Sequence, residues 1–427
     1  MKILHSIVFF WGKFRMFGII GTLKYPLILW QRYRRRRFFI VNADNHKGDI
    51  PLRGITVIAP FFERISLSKV MRDFIFALDD AGIAFQALNF NGCKSDGMTM
   101  NDNVDMRLNR LLTDRADFNI LKYSHVIGLY HLPISNGEFN LKCAKIAFWE
   151  FESGFPEVYP EVAHGGDPVI AMSDFNVSYF ERCFRNTPVH KILYPFQKRE
   201  IECLPSRIDI RKKYGIGENE FVVFFNFDYI STYGRKNPDG AVRAFAQAFK
   251  DFDDVRLVFK TMHADQKSDY VSRLWSLIDE LGMRDRCKSI DHYLPENDVY
   301  GLTNACDVYL ALHRGEGFGI PVAEAMFLGK PVVITGYSSV LEFCNADNSI
   351  IIPYEMVPVP SDFSESLFYR HVKEWAEPDI GVAADALQRL YSSPDLRRRL
   401  GDNAHSFIVD YFSTENFRRS VERFLDT

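Results

Sequence analysis

Several signatures of common protein classes are missing from this chain of 427 residues. Its seven cysteines are an odd number, and none lies in a Cys-x-x-Cys pair or among histidines at zinc-ligand spacing. A disulfide scaffold and a zinc site are therefore not expected. The cysteine pattern instead fits a reducing, cytoplasmic compartment. No Gly-x-Ser-x-Gly elbow and no Walker loop occurs, which excludes the two corresponding nucleophile and phosphate-binding turns.

The first 40 residues lack acidic side chains and lack a membrane-spanning run. They hold nine Lys or Arg and no Asp or Glu, so the net charge of −3 divides into +9 for this segment and −12 for the remainder. Lys13, Arg15 and Lys24 interrupt the apolar residues, and Pro26 would break a spanning helix. No small-residue cleavage site follows a clear apolar core, so we expect no removed signal peptide.

Two interpretations of residues 1–40 stay open. Apolar and aromatic side chains beside the arginine run 34–37 suit the surface of an anionic membrane. Alternatively, the segment is a helical cap that packs on the first domain with its arginines in solvent. The first interpretation makes the protein cytoplasmic and peripheral on the inner face of the membrane. Nucleic acid is not an expected partner, because the acidic remainder would repel phosphate.

From residue 54 onward, short apolar runs alternate with helical patterns. Residues 67–82 and 237–252 are predicted helices. The predicted strands are 55–60, 83–90, 124–131, 144–149, 168–172, 190–195, 221–228, 255–260, 307–312 and 331–335. Because short apolar strands separated by helices indicate parallel sheets, we predict an α/β protein with two Rossmann-like, doubly wound domains facing a cleft.

Four segments are predicted along the chain. Residues 1–50 form the basic amphipathic segment, and residues 51–200 form the first Rossmann-like domain. After a polar stretch, residues 206–410 form the second Rossmann-like domain. Residues 411–427 contain a terminal helix that Ser413 can cap, and its apolar side chains share one face.

One stretch of the second half places acids around a glycine-rich turn. Glu316-Gly-Phe-Gly-Ile-Pro follows the predicted strand 307–312, so it lies where ligands bind in open α/β sheets. Gly317 and Gly319 allow backbone N–H groups to approach an anion, and the next helix N terminus adds positive charge. Glu316 and Glu324 are suited to accept hydrogen bonds from hydroxyls. Phosphate, ribose and a further polyol together describe a sugar nucleotide; otherwise, Glu316 caps the loop and Glu324 is an ordinary solvated residue.

The wider stretch "HRGEGFGIPVAEAMFLGKPVV" resembles the retaining, GT-B-fold glycosyltransferases of glycosyltransferase family 4 (glycosyl transferases group 1). Their hallmark is two glutamates separated by seven residues around such a turn. The resemblance extends to "FNFDYISTYGRKNP" (225–238), "GYSSVLEF", "NSIIIPYEMVPV" and "WAEPD" (375–379), and to "AFWEFESGFPE" and "VIAMSDFN" in the first half. It covers roughly residues 54–427. The resemblance implies a GT-B fold whose C-terminal helix returns to the N-terminal domain.

The resemblance also implies a role for each motif residue. The N-terminal domain would bind the acceptor and the C-terminal domain the nucleotide sugar. Catalytic roles would fall on Glu316 at the donor sugar, Arg235 and Lys236 at the leaving diphosphate, and His131 at the donor sugar. The remaining donor-binding residues of the turn would be Gly317, Phe318, Gly319, Ile320 and, at the ribose, Glu324. Apart from the resemblance, Lys260 ends the predicted strand 255–260 and would be in reach of phosphate. For His131 and Lys260 the plainer alternatives are a rim histidine and a strand-end lysine.

The chain departs from the family pattern at two places. No glycine occurs between residues 54 and 82, where family members commonly carry a Gly-rich loop; Ser66 or Ser68 would supply donors instead. The usual Ser-Gly after the strand 331–335 is Ser338-Ser339.

The resulting expectation is a metal-independent, retaining hexosyltransferase without a resident cofactor. It would move a hexose from a GDP- or UDP-linked donor to a hydroxyl of a glycan or lipid-linked glycan during cell-surface polysaccharide assembly. Two alternatives stay open. One is a catalytically degenerate GT-B binding subunit of a glycan-assembly complex. The other is a GT-B nucleotide-sugar epimerase or phosphorylase.

Overall fold

The structure is a computed structural model that describes residues 52–62, 66–89, 102–112, 123–129, 142–159, 162, 166–184, 187–196, 204–364 and 369–427. The basic segment 1–50 and His131 lie outside the described residues, so the expectations for them stay predictions. Within the described part of the chain, no helix has both the length and the hydropathy that crossing a membrane requires.

The first sheet contains six parallel strands among the described residues, in the spatial order β2-β1-β3-β4-β5-β6. Its central strands are apolar and buried on both faces because helices cover a parallel sheet on both sides. In chain order the strands are β1 (Leu52–Ala59), β2 (Phe85–Asn89), β3 (Tyr123–Leu129), β4 (Lys142–Ile146), β5 (Val169–Ala171) and β6 (Val189–Lys191).

The second sheet repeats this design with six parallel strands in the order β12-β11-β10-β7-β8-β9. Strands β7 (Phe221–Asn226) and β10 (Val308–Ala311) are neighbours at its centre, although they are distant in the chain. The others are β8 (Val255–Thr261), β9 (Cys287–Asp291), β11 (Val332–Thr335) and β12 (Ile350–Ile352). The chain order reverses between β7 and β10, so the crevice beyond their carboxyl ends is the expected ligand site.

Helices connect the strands of both sheets. In chain order they are α1 (Ser66–Asp80), α2 (Asp102–Leu111), α3 (Phe155–Val158), α4 (Asp174–Cys183), α5 (Arg207–Lys213), α6 (Tyr233–Lys236), α7 (Pro238–Phe249), α8 (Ser268–Glu280), α9 (Glu296–Ala305), α10 (Ile320–Phe327), α11 (Ser361–Ser364), α12 (Ile380–Ser392), α13 (Pro394–Tyr411) and α14 (Thr414–Leu425). The two predicted helices correspond to α1 and α7. An antiparallel hairpin that the sequence patterns did not indicate is formed by β13 (Tyr354–Pro358) and β14 (Glu374–Pro378).

The terminal helix α14 returns to the first sheet. Ser413 caps its N terminus by accepting a hydrogen bond from the Asn416 backbone N–H. Phe417 packs edge-on against Phe74 of α1, with 5.6 Å between ring centroids, and the Ser420 hydroxyl accepts from the Leu193 N–H beyond β6. The predicted capping residue and the predicted packing of the helix on the first sheet are both confirmed.

Candidate functional site

A cleft of about 460 Å³ lies between the carboxyl ends of the two sheets. The first sheet contributes residues that follow β1 and β4, and the second contributes residues that follow β7 and β10. The lining residues include Leu67, Lys69, Val70, Phe148, Trp149, Glu150, Tyr159, Ser231, Arg235, Lys236, Glu316, Gly317, Phe318, Gly319, Ile320, Pro321, Glu324 and Tyr369. Eight of the ten residues that the sequence assigned to the site therefore line one cleft.

The turn after β10 is shaped by Gly319 and Ser338. Gly319 is the residue before α10 and has φ +94°; a Cβ there would lie 2.5 Å from Cγ1 of Val340. Both the positive φ and the close approach require glycine. The Ser338 hydroxyl accepts a hydrogen bond from the Glu316 N–H at 2.9 Å. This contact holds the glutamate backbone at the mouth of the turn.

The cation pair is delivered by α6, the single helical turn after β7. Asn237 ends α6 in a left-handed conformation, φ 55°, and its side chain caps α7 while donating to the Leu312 carbonyl at 2.9 Å. The Arg235 carbonyl in turn accepts from the Arg314 N–H at 2.8 Å. These contacts join the segment after β7 to the segment after β10, so Arg235 and Lys236 are fixed beside Glu316.

Glu316 lies between the two cations. Its Oε2 is 2.5 Å from Nζ of Lys236 and 3.5 Å from Nη1 of Arg235, which also donates to the Gly315 carbonyl at 2.9 Å. Burial alone would raise the pKa of Glu316, but the two cations outweigh it and lower that pKa to about 2. The carboxylate is therefore ionised at neutral pH.

Arg235 is 5% exposed and carries more than one carboxylate contact. Its Nη2 lies 3.9 Å from Oε1 of Glu150. Burial opposes its charge, but Tyr369, Glu316 and Glu150 outweigh that effect and raise its pKa. Its Nε–H is buried and meets no hydrogen-bond partner among the described residues. A buried donor without an acceptor is costly, and a bound phosphate oxygen would satisfy it.

Glu324 lies in α10, about one turn after the helix begins, and is 9% exposed. Its Oε1 accepts from the Tyr300 hydroxyl at 3.3 Å and lies 4.0 Å from Nζ of Lys69. Burial raises the pKa of Glu324 to about 7, and Lys69 opposes that shift only in part. Lys69 belongs to α1, so this glutamate contacts both sides of the cleft.

Glu150 and Tyr369 are functional candidates that the sequence analysis did not assign. Glu150 follows β4 and faces the Glu316 turn from the other side of the cleft. The Tyr369 hydroxyl donates to Oε1 of Glu150 at 3.3 Å. "AFWEFESGFPE" carried a resemblance but no individual assignment, and nothing in the sequence around Tyr369 indicated that it meets the first sheet.

The structure does not bring Lys260 into this cleft. Lys260 lies near the end of β8, where its Nζ donates to the Thr261 carbonyl at 2.6 Å. Burial lowers the pKa of Lys260 to about 8. His313 is buried, with Nδ1 and Nε2 beside the carbonyls of Ala311 and Tyr337. Burial lowers the pKa of His313 to about 4, so its ring is neutral. Among the described residues, no group of three or more His, Cys, Asp or Glu is arranged to hold a metal ion.

Arg314 braces the site from outside the cleft. It pairs with Glu377 of β14, with Nη2 2.8 Å from Oε1, and donates to the Gly234 carbonyl at 2.7 Å. Its guanidinium also lies 4.7 Å above the Trp375 ring.

The unusual Ser338-Ser339 pair has a structural role. Ser338 adopts φ +68°, a conformation that glycine enters more easily. Its hydroxyl holds Glu316, as described above. The Ser339 hydroxyl reaches the start of α4 and lies 2.9 Å from the Ser173 hydroxyl and 2.8 Å from Nδ2 of Asn176. This departure from the family pattern therefore joins the turn after β11 to the helix that follows β5.

Comparison with known proteins agrees with this geometry. Residues 206–355 match the family described as "Glycosyl transferases group 1". The chain is 24% identical over 208 residues to the O-antigen chain mannosyltransferase B of Escherichia coli, covering 47% of this chain and 51% of that protein. It is 26% identical over 236 residues to the lipopolysaccharide glucosyltransferase WaaG of Escherichia coli strain K12, covering 53% of this chain and 60% of WaaG. The chain thus spans only half to three-fifths of these two relatives.

The fold has a counterpart over nearly the whole chain. The structure of Anabaena HepE in complex with UDP-glucose superposes with a TM-score of 0.64 at 16% identity, covering 87% of this chain and 99% of HepE. The protein therefore has a GT-B fold, as predicted, and its second sheet lies within residues 206–355, which match the glycosyl transferases group 1 model.

Proposed function

We propose that this protein is a metal-independent, retaining hexosyltransferase that uses a nucleoside diphosphate sugar. The observation that carries the proposal is the convergence of Arg235, Lys236, Glu316 and Glu324 on one cleft between the two sheets. A buried and a half-buried cation beside a glycine-rich turn suit a diphosphate, and carboxylates on either side suit hydroxyl groups. The resemblance to family 4 supports the retaining outcome.

The site contains a counter-charge of its own. Glu316 pairs with both Lys236 and Arg235. An incoming diphosphate competes with Glu316 for the same two cations. Its ion pairs with Lys236 and Arg235 compensate for the loss of the Glu316 contacts. Glu316 is then free to accept hydrogen bonds from the donor sugar. Donor binding would thus convert an ion pair within the protein into a set of contacts to the substrate.

Each residue has a defined task in sugar transfer. Arg235 and Lys236 stabilise the negative charge that develops on the leaving diphosphate, in a buried site where fixed charges act strongly. Glu324 accepts hydrogen bonds from the ribose, for which it must be ionised. The acceptor hydroxyl attacks the anomeric carbon from the face that the diphosphate leaves. Its proton passes to the leaving phosphate oxygen.

The acceptor we propose is a glycan or lipid-linked glycan of cell-surface polysaccharide assembly. The names of the two Escherichia coli relatives, an O-antigen chain mannosyltransferase and a lipopolysaccharide glucosyltransferase, support this class. The basic segment 1–40 would hold the enzyme at an anionic membrane surface where such acceptors reside.

A ligand panel tests the proposal. Purified protein is heated with UDP, GDP, UDP-glucose, GDP-mannose and ATP, because a ligand that binds only the folded state raises the melting temperature. A shift with one nucleoside diphosphate and its sugar, and none with ATP, supports the proposal. Hydrolysis or transfer of that donor then separates an enzyme from a degenerate binding subunit. Isomerised donor without an acceptor would indicate an epimerase instead.

A further inference from the structure

We infer that Glu150 is a sugar-binding, specificity-determining residue supplied by the N-terminal sheet, whose carboxylate accepts hydrogen bonds from hydroxyls of the transferred sugar. The inference rests on the proposed function and extends it. The family resemblance assigned the sugar contacts to Glu316 and His131. Glu150 lies on the opposite wall of the cleft from Glu316.

The backbone around Glu150 is held on both sides. Nδ2 of Asn176 donates to the Trp149 carbonyl at 3.0 Å, and Oδ1 of Asn176 accepts from the Trp149 N–H at 2.7 Å. A Cβ on Gly315 would lie 2.8 Å from the Glu150 carbonyl oxygen, so the second sheet's turn packs directly on this backbone. The carboxylate is therefore presented on a rigid loop.

The loop is also clamped by the segment that follows residue 368. The Lys373 N–H donates to the Ser153 hydroxyl at 3.1 Å. The Tyr369 ring lies 5.9 Å from the Trp149 ring and 5.2 Å from the Phe151 ring, measured between centroids. A side chain that is fixed in this way can select a ligand, because little ordering entropy remains to be lost on binding.

The carboxylate faces the glycine-rich turn whose Glu316 is proposed to contact the donor sugar. A Cβ on Gly317 would lie 3.8 Å from Oε1 of Glu150, so the carboxylate faces the turn that begins at Glu316. The same oxygen is 3.9 Å from the Arg235 guanidinium. Glu150 thus lies beside the expected diphosphate position. It is distinct from Glu324, which faces Lys69.

The chemistry of the group selects its ligand. A carboxyl oxygen accepts hydrogen bonds from hydroxyl groups, so a hydroxyl-bearing sugar is a part of the donor that it can bind. Burial raises the pKa of Glu150, Arg235 opposes that shift, and Glu316 adds to it. A buried carboxylate in a cleft costs stability, and such groups are concentrated at functional sites.

A competing role for Glu150 is to position Arg235. The two roles predict opposite effects on diphosphate binding. If Glu150 only holds Arg235 in place, then removing the carboxylate weakens binding of the nucleoside diphosphate. If Glu150 binds the sugar, then Glu150→Gln leaves Arg235 and Lys236 in place, and the nucleoside diphosphate binds equally well or more tightly.

The experiment compares full-length wild type, Glu150→Gln and Glu150→Ala with the control Glu152→Gln. Glu152 lies two residues away, and its side chain is 58% exposed. Calorimetric dissociation constants are measured for UDP and GDP and for UDP-glucose, UDP-galactose and GDP-mannose, followed by kcat and KM for the preferred donor. Melting curves verify folding of every variant.

We expect both Glu150 variants to bind the preferred nucleoside diphosphate within threefold of wild type or more tightly. They lose the additional affinity that the sugar confers, and kcat falls by about 100-fold. The ratio of the affinities for UDP-glucose and UDP-galactose, its 4-epimer, changes in both Glu150 variants. The same ratio is unchanged in Glu152→Gln. Nucleoside diphosphate binding that weakens in parallel with donor binding overturns the inference, as do kinetics like those of wild type. Wild-type protein that binds no donor overturns the proposed function itself.

Discussion

Lys236 and Glu316 meet at 2.5 Å between Nζ and Oε2, although 80 residues separate them in the chain. The lysine follows β7 and the glutamate follows β10, and these strands are neighbours at the point where the strand order of the second sheet reverses. Parallel strands end at one edge of a sheet, so the topology brings both groups to the same crevice. Under the proposed function, a bound diphosphate competes with Glu316 for Lys236.

Replacing Lys236 tests its role as a diphosphate ligand. Lys236→Ala should lower kcat/KM for the donor by about 100- to 1,000-fold, because one fixed cation at the leaving group is removed. Lys250→Ala is the control, since Lys250 is exposed at the end of α7. Steady-state kinetics with a saturating acceptor measure the effect. Equal activity of the two variants would show that Lys236 does not contact the leaving group.

Glu316 should stabilise the fold through its ion pairs. Its folded-state pKa of about 2 is below its ordinary value of 4.5, so its contribution is present above pH 4.5 and is lost as pH falls towards 2. Glu316→Gln should therefore lower the free energy of unfolding at pH 7 by about 2–3 kcal/mol. Urea unfolding of this variant and of the exposed-site control Glu280→Gln provides the measurement. A pH-independent difference would exclude this origin.

Glu324 should have the opposite effect on stability. Burial raises its pKa from 4.5 to about 7, so the folded state holds a proton that the unfolded state releases, and stability from this group is lost as pH rises through that window. Glu324→Gln should be more stable than wild type at pH 8, by up to roughly 3 kcal/mol, and similar to it at pH 4.5. Donor affinity should fall in the same variant. A variant less stable than wild type at pH 8 would contradict the assignment.

The same pKa predicts the pH dependence of donor use. If Glu324 must be ionised to accept from the ribose, kcat/KM for the donor decreases as pH falls through about 7. Glu324→Gln should have lower activity and should lose this inflection. The profile is measured with a nucleoside diphosphate sugar, whose phosphates do not titrate near neutrality. An inflection that persists unchanged in Glu324→Gln would assign it to another group.

Gly319 should tolerate no side chain. Gly319→Ala adds a Cβ at φ +94° that would lie 2.5 Å from Val340, so both backbone strain and a clash oppose folding. We expect a loss of about 2–4 kcal/mol in unfolding free energy. Gly282→Ala is a matched control with φ +69°, and no atom of the described part of the chain lies within 4 Å of the added Cβ. Its cost should be about 1 kcal/mol, since only the backbone term remains. Equal losses in the two variants would show that the contact with Val340 has no effect.

Local sequence patterns were enough to locate residues that come soon after a predicted strand. Glu316 and Arg235 each come a few residues after an apolar run, so the sequence placed them at the correct sheet edge. The capping of α14 by Ser413 was predictable for the same reason. Glu150, Tyr369 and Lys69 were not, because they reach the cleft through packing between segments that are far apart in the chain.

The position of Lys260 and the hairpin β13-β14 differ from what the sequence patterns indicated, each for an identifiable reason. Lys260 was assigned to the donor site because it ends a strand of the correct sheet. Strand β8 lies one position beyond β7, away from the crevice at β10, and Lys260 binds the Thr261 carbonyl instead. The hairpin β13-β14 was missed because its burial pattern is mostly exposed in β13 and its two strands are separated by the segment containing α11.

The most direct test of the central claim is calorimetric titration of wild type and four single variants with the preferred nucleoside diphosphate sugar. The variants are Arg235→Ala, Lys236→Ala, Glu316→Gln and Glu324→Gln. We expect one site per chain in wild type and at least tenfold weaker binding in every folded variant. Unchanged affinity in two or more of these variants would show that the four side chains do not surround one donor molecule.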